Sequence, residues 1–141
     1  MLTQEQIKAI LPHRDPALMI DEADDPDYET MHISGRKTVR GNEALLRGHF
    51  PGNPVMPGVM LIEALAQLGA TLVLGMEKFK GKLAVLGGVE KFRFRKMVKP
   101  GDQVELEVWI DRLRSNAGTG HGRATVNGEL ACEGQLTFLL V

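Results

Sequence analysis

Hydrophobic and polar residues alternate along several stretches of the chain, and this pattern predicts β-strands. Residues 104–110 place valine, leucine or isoleucine at every second position, which predicts a half-buried strand. Residues 29–40 also alternate, as do residues 91–95, where phenylalanines stand between basic residues. Asn127-Gly128 lies between two extended runs and predicts a hairpin, because both central residues of a type I′ turn need positive φ. The chain therefore contains several antiparallel strands.

Two stretches have a helical pattern instead. Thr3 and Gln6 form a capping box, which predicts a short helix that ends before Pro12. Residues 58–76 are apolar nearly all round and follow Pro57, which predicts a helix that is buried on most faces. Between the first helix and the strand at 29–40, residues 17–21 (ALMID) are predicted to start a strand, and the acidic residues 21–27 are predicted to form an exposed loop.

The long apolar helix approaches the length of a membrane span, so a transmembrane helix is the competing interpretation. Glu63, Gln67 and Thr71 argue against it, because a central carboxylate costs several kcal/mol in hydrocarbon. We therefore expect the helix to lie in the core of a soluble protein with no membrane span. The preceding residues 49–57 contain three prolines, which predict a stiff, extended loop.

Composition narrows the class of protein. The chain has 141 residues, the length of about one domain, and a formal net charge of −1, which does not suggest nucleic-acid binding. Its one cysteine, Cys132, excludes an internal disulfide and favours a reducing cytoplasm, and it is expected to fill space in the core. The amino terminus lacks the basic start and apolar run of a signal peptide.

The candidate chemistry lies around the predicted long helix. Glu63 and Gln67 are spaced i, i+4 and share one helix face, so the amide can orient the carboxyl group. His49 stands just before the proline-rich loop, and Gly58 leaves backbone N–H groups free at the start of the helix. A histidine and a glutamate held on rigid backbone can serve as a general base and a general acid. Each also has a plain structural interpretation: Glu63 can surface at a gap in the packing, and His49 can be an ordinary loop histidine.

Three motifs resemble one enzyme family. GHFPGNPVMPGVMLIEALAQ at residues 48–67 resembles the signature of the 3-hydroxyacyl-[acyl-carrier-protein] dehydratases of the FabZ type. LPHRDPALMID at 11–21 and KFRFRKMVKPGDQVELEV at 91–108 resemble two further blocks of that family. The resemblance implies an α+β hot-dog fold for residues 1–141 as a single domain, with an antiparallel sheet wrapped around a long central helix. It also implies homodimers, commonly three to a hexamer, with the active site at the dimer interface.

The resemblance also implies roles for individual residues. His49 would remove a proton from C2 of the acyl chain, and Glu63 would protonate the C3 hydroxyl as it leaves. Gly58 would donate its N–H to the thioester carbonyl, and Gln67 would orient Glu63. A (3R)-3-hydroxyacyl chain on the phosphopantetheine arm of acyl carrier protein would thus become a trans-2-enoyl chain. No metal or organic cofactor is implied, because the thioester itself acidifies C2.

The first block departs from the family pattern. Asp15 and Ala17 replace two aromatic residues, and Glu22 replaces a basic residue. These changes leave the implied chemistry intact but affect the residues that could select the acyl chain length. His13, in the same block, is expected to be structural and to bond to the local backbone.

One local charge bias stands out in the nearly neutral chain: a basic cluster of Lys91, Arg93, Arg95, Lys96 and Lys99. It is either a solvated strand face or a docking patch for the acidic carrier protein and its pantetheine phosphate. Two other functions remain open within the same fold, namely an acyl-thioesterase or a hydratase of coenzyme A esters. A non-catalytic acyl-binding module is a third alternative, against which the pair of His49 and Glu63 argues.

Overall fold

A long helix packed against one face of an antiparallel sheet forms the framework of the fold. The computed structural model describes residues 1–40 and 55–141. Its helices are α1 (Gln4–Ile10) and α2 (Gly58–Leu74), with a short 3₁₀-helix at Glu77–Phe79. Its strands are β1 (Glu22–Ala23), β2 (His32–Thr38), β3 (Ala84–Phe94), β4 (Gln103–Leu113), β5 (Ala117–Val126) and β6 (Glu129–Leu140).

The six strands form one sheet in the order β1-β2-β4-β5-β6-β3, and every neighbouring pair is antiparallel. Strand β3 is therefore the last strand of the sheet, and among the described strands it pairs only with β6. The α+β class and the antiparallel sheet around a central helix, both expected from the sequence, are confirmed.

Helix α2 supplies the centre of the core. Its stripe of Leu61, Leu65, Leu68 and Leu72 is buried, and the helix packs on β2, β4 and β5. The alternating residues of β4 face it, since the side chains at 104, 106, 108 and 110 are all buried. Each such burial stabilises the fold by about 1.5–3 kcal/mol. Helix and sheet approach closely at Gly69, where a Cβ atom would lie 3.2 Å from Val108. No helix among the described residues is long and apolar enough to cross a membrane.

Several predicted elements are confirmed at the level of hydrogen bonds and dihedral angles. Helix α1 begins with the predicted capping box, in which Thr3 and Gln6 bond each other's backbone N–H. Asn127 and Gly128 have φ of 52° and 79° and join β5 to β6. Cys132 is buried, as expected of a core residue, and burial raises the pKa of its thiol to about 11.

Other predicted boundaries were wrong for physical reasons. Residues 17–21 form no strand, and β1 begins only at Glu22, because the backbone of Ala17 and Met19 bonds to the Gln67 side chain instead of a neighbouring strand. Strand β2 starts at His32 rather than residue 29, since a turn held by Asp27 precedes it. Helix α2 ends at Leu74, two residues earlier than predicted. The predicted stiff loop 49–57 lies outside the described residues up to residue 54.

Candidate active site

A single carboxyl group interrupts the apolar surface of α2 in its first half. Glu63 follows two buried residues, Leu61 and Ile62, and its side chain is 37% exposed. The carboxyl group therefore lies at the boundary between the core and the solvent, where a substrate can reach it. Its Oε2 accepts a hydrogen bond from Nε2 of Gln67, 2.7 Å away and one helical turn later. The predicted pairing of these two side chains is confirmed.

Gln67 is almost completely buried, with 1% of the residue exposed, and its side-chain amide makes three hydrogen bonds. Its Oε1 accepts from the backbone N–H of Met19 at 2.8 Å, and its Nε2 donates to the carbonyl of Ala17 at 2.8 Å and to Glu63. The two backbone partners fix which end of the amide is oxygen, because a backbone N–H must meet an acceptor and a carbonyl must meet a donor. Gln67 therefore presents an N–H, and not an oxygen, to Glu63.

The loop that binds Gln67 also places a histidine near the carboxyl group. Nε2 of His13 lies 3.9 Å from Oε2 of Glu63, longer than a direct hydrogen bond but within the range of an ion pair. Nδ1 of His13 is buried and has no hydrogen-bond partner in the described part of the chain. The expectation that His13 bonds to the local backbone was wrong. Its neighbour Arg14 does so instead, donating to the carbonyls of Lys8, Leu11 and His13.

The first turn of α2 begins without a side-chain cap among the described residues. Pro57 occupies the N-cap position, and no described side chain caps the helix. Gly58 follows, with the half-exposed ring of Phe94 so close that a Cβ atom on Gly58 would lie 2.8 Å from it. The missing side chain therefore lets the end of β3 cover the start of α2. Such a helix end carries a partial positive charge that can stabilise developing negative charge.

An apolar pocket opens between α2 and the sheet. Its enclosed volume is about 30 Å³, within about 380 Å³ of empty space that includes open solvent, and all the described residues that line it are apolar. Ala66 and Ala70 contribute small side chains from α2, and Val85 and Leu86 contribute from β3. Ala66 and Ala70 stand three and seven residues after Glu63, so they share its helix face. The pocket thus begins one turn beyond the carboxyl group.

The basic cluster lies at the end of β3 and just beyond it. Four of its five residues are exposed, and Lys96 is partly buried and pairs with Glu129 at 3.1 Å. This segment adjoins the start of α2, because Phe94 contacts Gly58 and the N–H of Met56 bonds to the carbonyl of Val98 at 2.7 Å. The cluster therefore flanks the helix end that precedes Glu63, although one member is already neutralised.

The predicted base, His49, lies outside the described residues, so its relation to Glu63 stays a prediction. Glu63, Gln67 and Gly58 do lie together on the first half of one helix. Within residues 1–40 and 55–141, no group of three or more His, Cys, Asp or Glu side chains could hold a metal ion. The described groups can hold a carboxyl group in place for proton transfer beside an apolar pocket.

Sequence reasoning missed two parts of this site. The first part is the pair of pocket residues Ala66 and Ala70. Their spacing of three and seven residues from Glu63 could have predicted their place, because it puts two small side chains on the helix face that carries the carboxyl group. No sequence signal could have placed His13 beside Glu63, since 50 residues separate them and the contact depends on the path of the loop at 11–21.

Comparison with known proteins gives consistent matches. The family model of the FabA-like domain matches residues 11–135. A 3-hydroxyacyl-[acyl-carrier-protein] dehydratase FabZ from Bacillus subtilis (strain 168) is 50% identical over 140 residues, which cover 99% of each chain. Among solved structures, the dehydratase heterocomplex ApeI:P from Xenorhabdus doucetiae matches with a TM-score of 0.81 at 18% identity, covering 96% of this chain and 90% of the other. A hypothetical thioesterase with coenzyme A from Streptococcus pneumoniae matches with a TM-score of 0.64 at 13% identity, covering 85% and 84%. At such low identity, these two structures show the fold alone.

We predict that Gln67→Met destabilises the protein by about 3 kcal/mol, because it leaves the N–H of the buried Met19 without a partner and also removes the hydrogen bond to the carbonyl of the exposed Ala17. Methionine keeps the length and apolar stem of glutamine, so loss of packing contributes little. Thr71→Val is the matched control: it removes a single buried hydroxyl that donates to the carbonyl of residue 67 at 2.9 Å, a carbonyl that the helix continues to engage. We expect this control to cost about 1 kcal/mol. Chemical denaturation measures both, and equal losses in the two variants would contradict the special role of the amide.

Proposed function

The chain belongs to the FabA-like family of FabZ-type dehydratases, and from that premise we propose that it converts (3R)-3-hydroxyacyl-[acyl-carrier-protein] to trans-2-enoyl-[acyl-carrier-protein] in fatty-acid biosynthesis. One observation carries the proposal beyond family membership. The carboxyl group of Glu63, oriented by a buried amide, lies one helical turn from an apolar pocket. An acyl chain in that pocket would bring carbons near its thioester end toward the carboxyl group.

The proposed chemistry removes one proton and one hydroxyl group from adjacent carbons. His49 takes the proton from C2, and the electron pair of the broken C2–H bond forms the C2=C3 double bond. The C3–O bond breaks as Glu63 gives its proton to the leaving oxygen, so that water departs. The N–H of Gly58 at the start of α2 stabilises the negative charge that develops on the thioester carbonyl. Gln67 acts on Glu63 and not on the substrate, as a positioning residue. No step needs a metal or organic cofactor, since the thioester supplies the electron sink.

The partner that delivers the substrate is acyl carrier protein with its phosphopantetheine-linked chain. The basic cluster, in particular Arg93 and Arg95 on either side of Phe94, supports this assignment, because an acidic carrier is attracted to exposed positive charge. Phe94 contacts Gly58, so a carrier bound at the cluster would hold its pantetheine arm near the proposed oxyanion site. We assign the enzyme to the cytoplasm, where a single unpaired cysteine is the normal state.

We propose that the enzyme acts as a homodimer, which can assemble further into a hexamer of three dimers. Exposed apolar side chains along the last strand of the sheet support a second copy there. Val85 is 48% and Val89 42% exposed on β3, and Leu139 of the adjoining β6 is 45% exposed. A long apolar edge strand is an aggregation hazard unless another strand pairs with it. The pocket borders β3, so a second copy at this edge would also complete the site.

The function is tested by incubating the protein with thioester substrates and measuring both the absorbance of the enoyl thioester and the release of free thiol. Incubation with crotonyl pantetheine should lower the absorbance of the conjugated enoyl thioester until hydration reaches equilibrium, while no free thiol appears. A (3R)-3-hydroxybutyryl thioester should approach the same equilibrium from the other side. Release of free thiol without a change in the enoyl chromophore would identify a thioesterase instead. No turnover with either substrate, including carrier-bound forms, would favour the acyl-binding module.

The docking patch is tested by changing Arg93 and Arg95 to alanine together. We expect KM for carrier-bound substrate to rise about 10-fold and its salt dependence to flatten, because the steering charge is lost. Short pantetheine thioesters, which carry no acidic protein, should react almost normally. Arg112→Ala with Arg114→Ala, at the far end of the sheet, is a charge-matched control that should leave both substrates unaffected. Equal losses with carrier-bound and short substrates would show that the cluster does not dock a carrier.

Subunit mixing tests whether His49 of one subunit acts with Glu63 of the other. His49→Ala and Glu63→Ala should each be nearly inactive alone. When the two are unfolded together and refolded, about half the dimers are mixed, and a shared arrangement leaves one intact site in each. About a quarter of wild-type activity should then return. If mass spectrometry shows mixed dimers and no activity returns, each site is built within one chain.

A further inference from the structure

His13 is the one titratable side chain in the described part of the chain that contacts Glu63 and has no role in the chemistry above. Both groups are held in place. Glu63 is held by Gln67, and the loop that carries His13 is held by the same amide through Ala17 and Met19. Arg14 closes the loop by bonding three carbonyls, including that of His13 itself. The hydrogen bonds that hold the two groups therefore also set the 3.9 Å separation between imidazole and carboxylate.

The surroundings of the imidazole determine which of its nitrogens carries hydrogen. Nδ1 is buried without a partner in the described residues, so a proton there would be a donor with nothing to bond. Nε2 faces a carboxyl oxygen, and a lone pair at that position would repel the oxygen's own lone pairs. A neutral ring with hydrogen on Nε2 avoids both costs, whereas the imidazolium form buries the Nδ1 hydrogen. The Nε2–H tautomer is thus the form that fits this site.

From these contacts we propose that His13 is a positioning residue for Glu63, whose neutral imidazole donates its Nε2–H to the carboxylate formed when Glu63 gives up its proton. The inference rests on the proposed acid role of Glu63. Before proton transfer, Oε2 accepts from Gln67, its one hydrogen-bond donor among the described residues, and the carboxyl group keeps its proton for the substrate. After transfer, the oxygen carries negative charge and attracts the Nε2–H, and a small rotation of the Glu63 side chain shortens the contact to a hydrogen bond. A charge-assisted bond of this kind strengthens only as the C3–O bond breaks, so it lowers the barrier rather than the substrate affinity.

A neutral donor fits this task better than a cation. A permanent positive charge beside Glu63 would stabilise the carboxylate before the reaction and would leave no proton to deliver. A neutral N–H stabilises the carboxylate less, so the carboxyl group can be protonated again for the next turnover. The buried Nδ1 agrees with this task, because a hydrogen on it would have no acceptor among the described residues.

Two substitutions of His13 by amide residues distinguish the roles of its two ring nitrogens. The amide of His13→Gln reaches the position of Nε2, whereas that of His13→Asn reaches only the position of Nδ1. With a short (3R)-3-hydroxyacyl pantetheine thioester, we expect His13→Asn to lower kcat at least ~10-fold with little change in KM. His13→Gln should keep kcat within ~3-fold of the wild type, since the donor is restored. The solvent deuterium isotope effect on kcat should rise in His13→Asn only, because proton delivery becomes slower. His121→Gln, on the outer face of the sheet where the ring pairs with Asp111, is the control that should change nothing.

Three results separate failure of this inference from failure of the proposed function. If Glu63→Gln is nearly as active as the wild type, the acid role of Glu63 is wrong. If Glu63→Gln is inactive but the two His13 variants have equal kcat, the acid role stands and the inference about His13 is overturned. If His13→Asn does not fold, ¹⁵N NMR of the wild-type imidazole decides the question, with the His13→Gln spectrum assigning the signal. A neutral Nε2–H ring at neutral pH supports the proposal, and a ring protonated on Nδ1 contradicts it.

Discussion

A buried amide connects the two parts of the molecule that form the site. Gln67 lies in the middle of α2, bonds the backbone of the 11–21 loop at two points, and donates its remaining hydrogen to Glu63. Without this amide the backbone N–H of the buried Met19 would have no partner, which costs about 1–3 kcal/mol, and the carbonyl of the exposed Ala17 would lose a hydrogen bond. The two bonds from Gln67 therefore stabilise the path of the loop. The same path places His13 beside the carboxyl group.

The environment of a carboxyl group determines how readily it can donate a proton. A carboxyl group among apolar side chains is costly to ionise, and a fully solvated one is a poor proton donor near neutral pH. The environment of Glu63 is neither of these, because its side chain is partly exposed and one oxygen accepts a hydrogen bond from a neutral amide. Neither Gln67 nor the neutral form of His13 adds a charge. Among the described residues, uncharged groups thus surround the carboxyl group on two sides.

Sequence reasoning predicted the parts of the fold that depend on local pattern. The α1 capping box, the Asn127-Gly128 hairpin and the alternating strand around residues 104–110 all follow from short-range chemistry, and all are present. It failed where a distant side chain competes for the backbone, as at residues 17–21, whose groups bond Gln67 some 50 positions away. The i, i+4 spacing predicted the contact between Glu63 and Gln67, because both stand on one helix. The contact with His13 depends on tertiary structure, and no pattern in the sequence encodes it.

The exposed apolar edge of the sheet lies beside the pocket, so the assembly of subunits and the site are connected. The edge strand β3 carries Val85 and Leu86, which line the pocket and are also among the more exposed apolar residues of the chain. A second copy at this edge would shield the apolar strand and close the pocket at once. The basic cluster follows on the same strand, so carrier docking, acyl binding and subunit contact would all converge on β3 and the start of α2.

The central claim is that Glu63 delivers the proton that lets the C3 hydroxyl leave, and a change of leaving group tests it most directly. Chloride leaves without a proton, so a 3-chloroacyl pantetheine thioester needs only the removal of the C2 proton. We predict that Glu63→Gln eliminates water at least ~10²-fold more slowly than the wild type but eliminates chloride within ~5-fold of the wild-type rate, after subtraction of the uncatalysed reaction. Equal losses with the hydroxyl and chloride substrates would contradict the assignment of Glu63 as the acid.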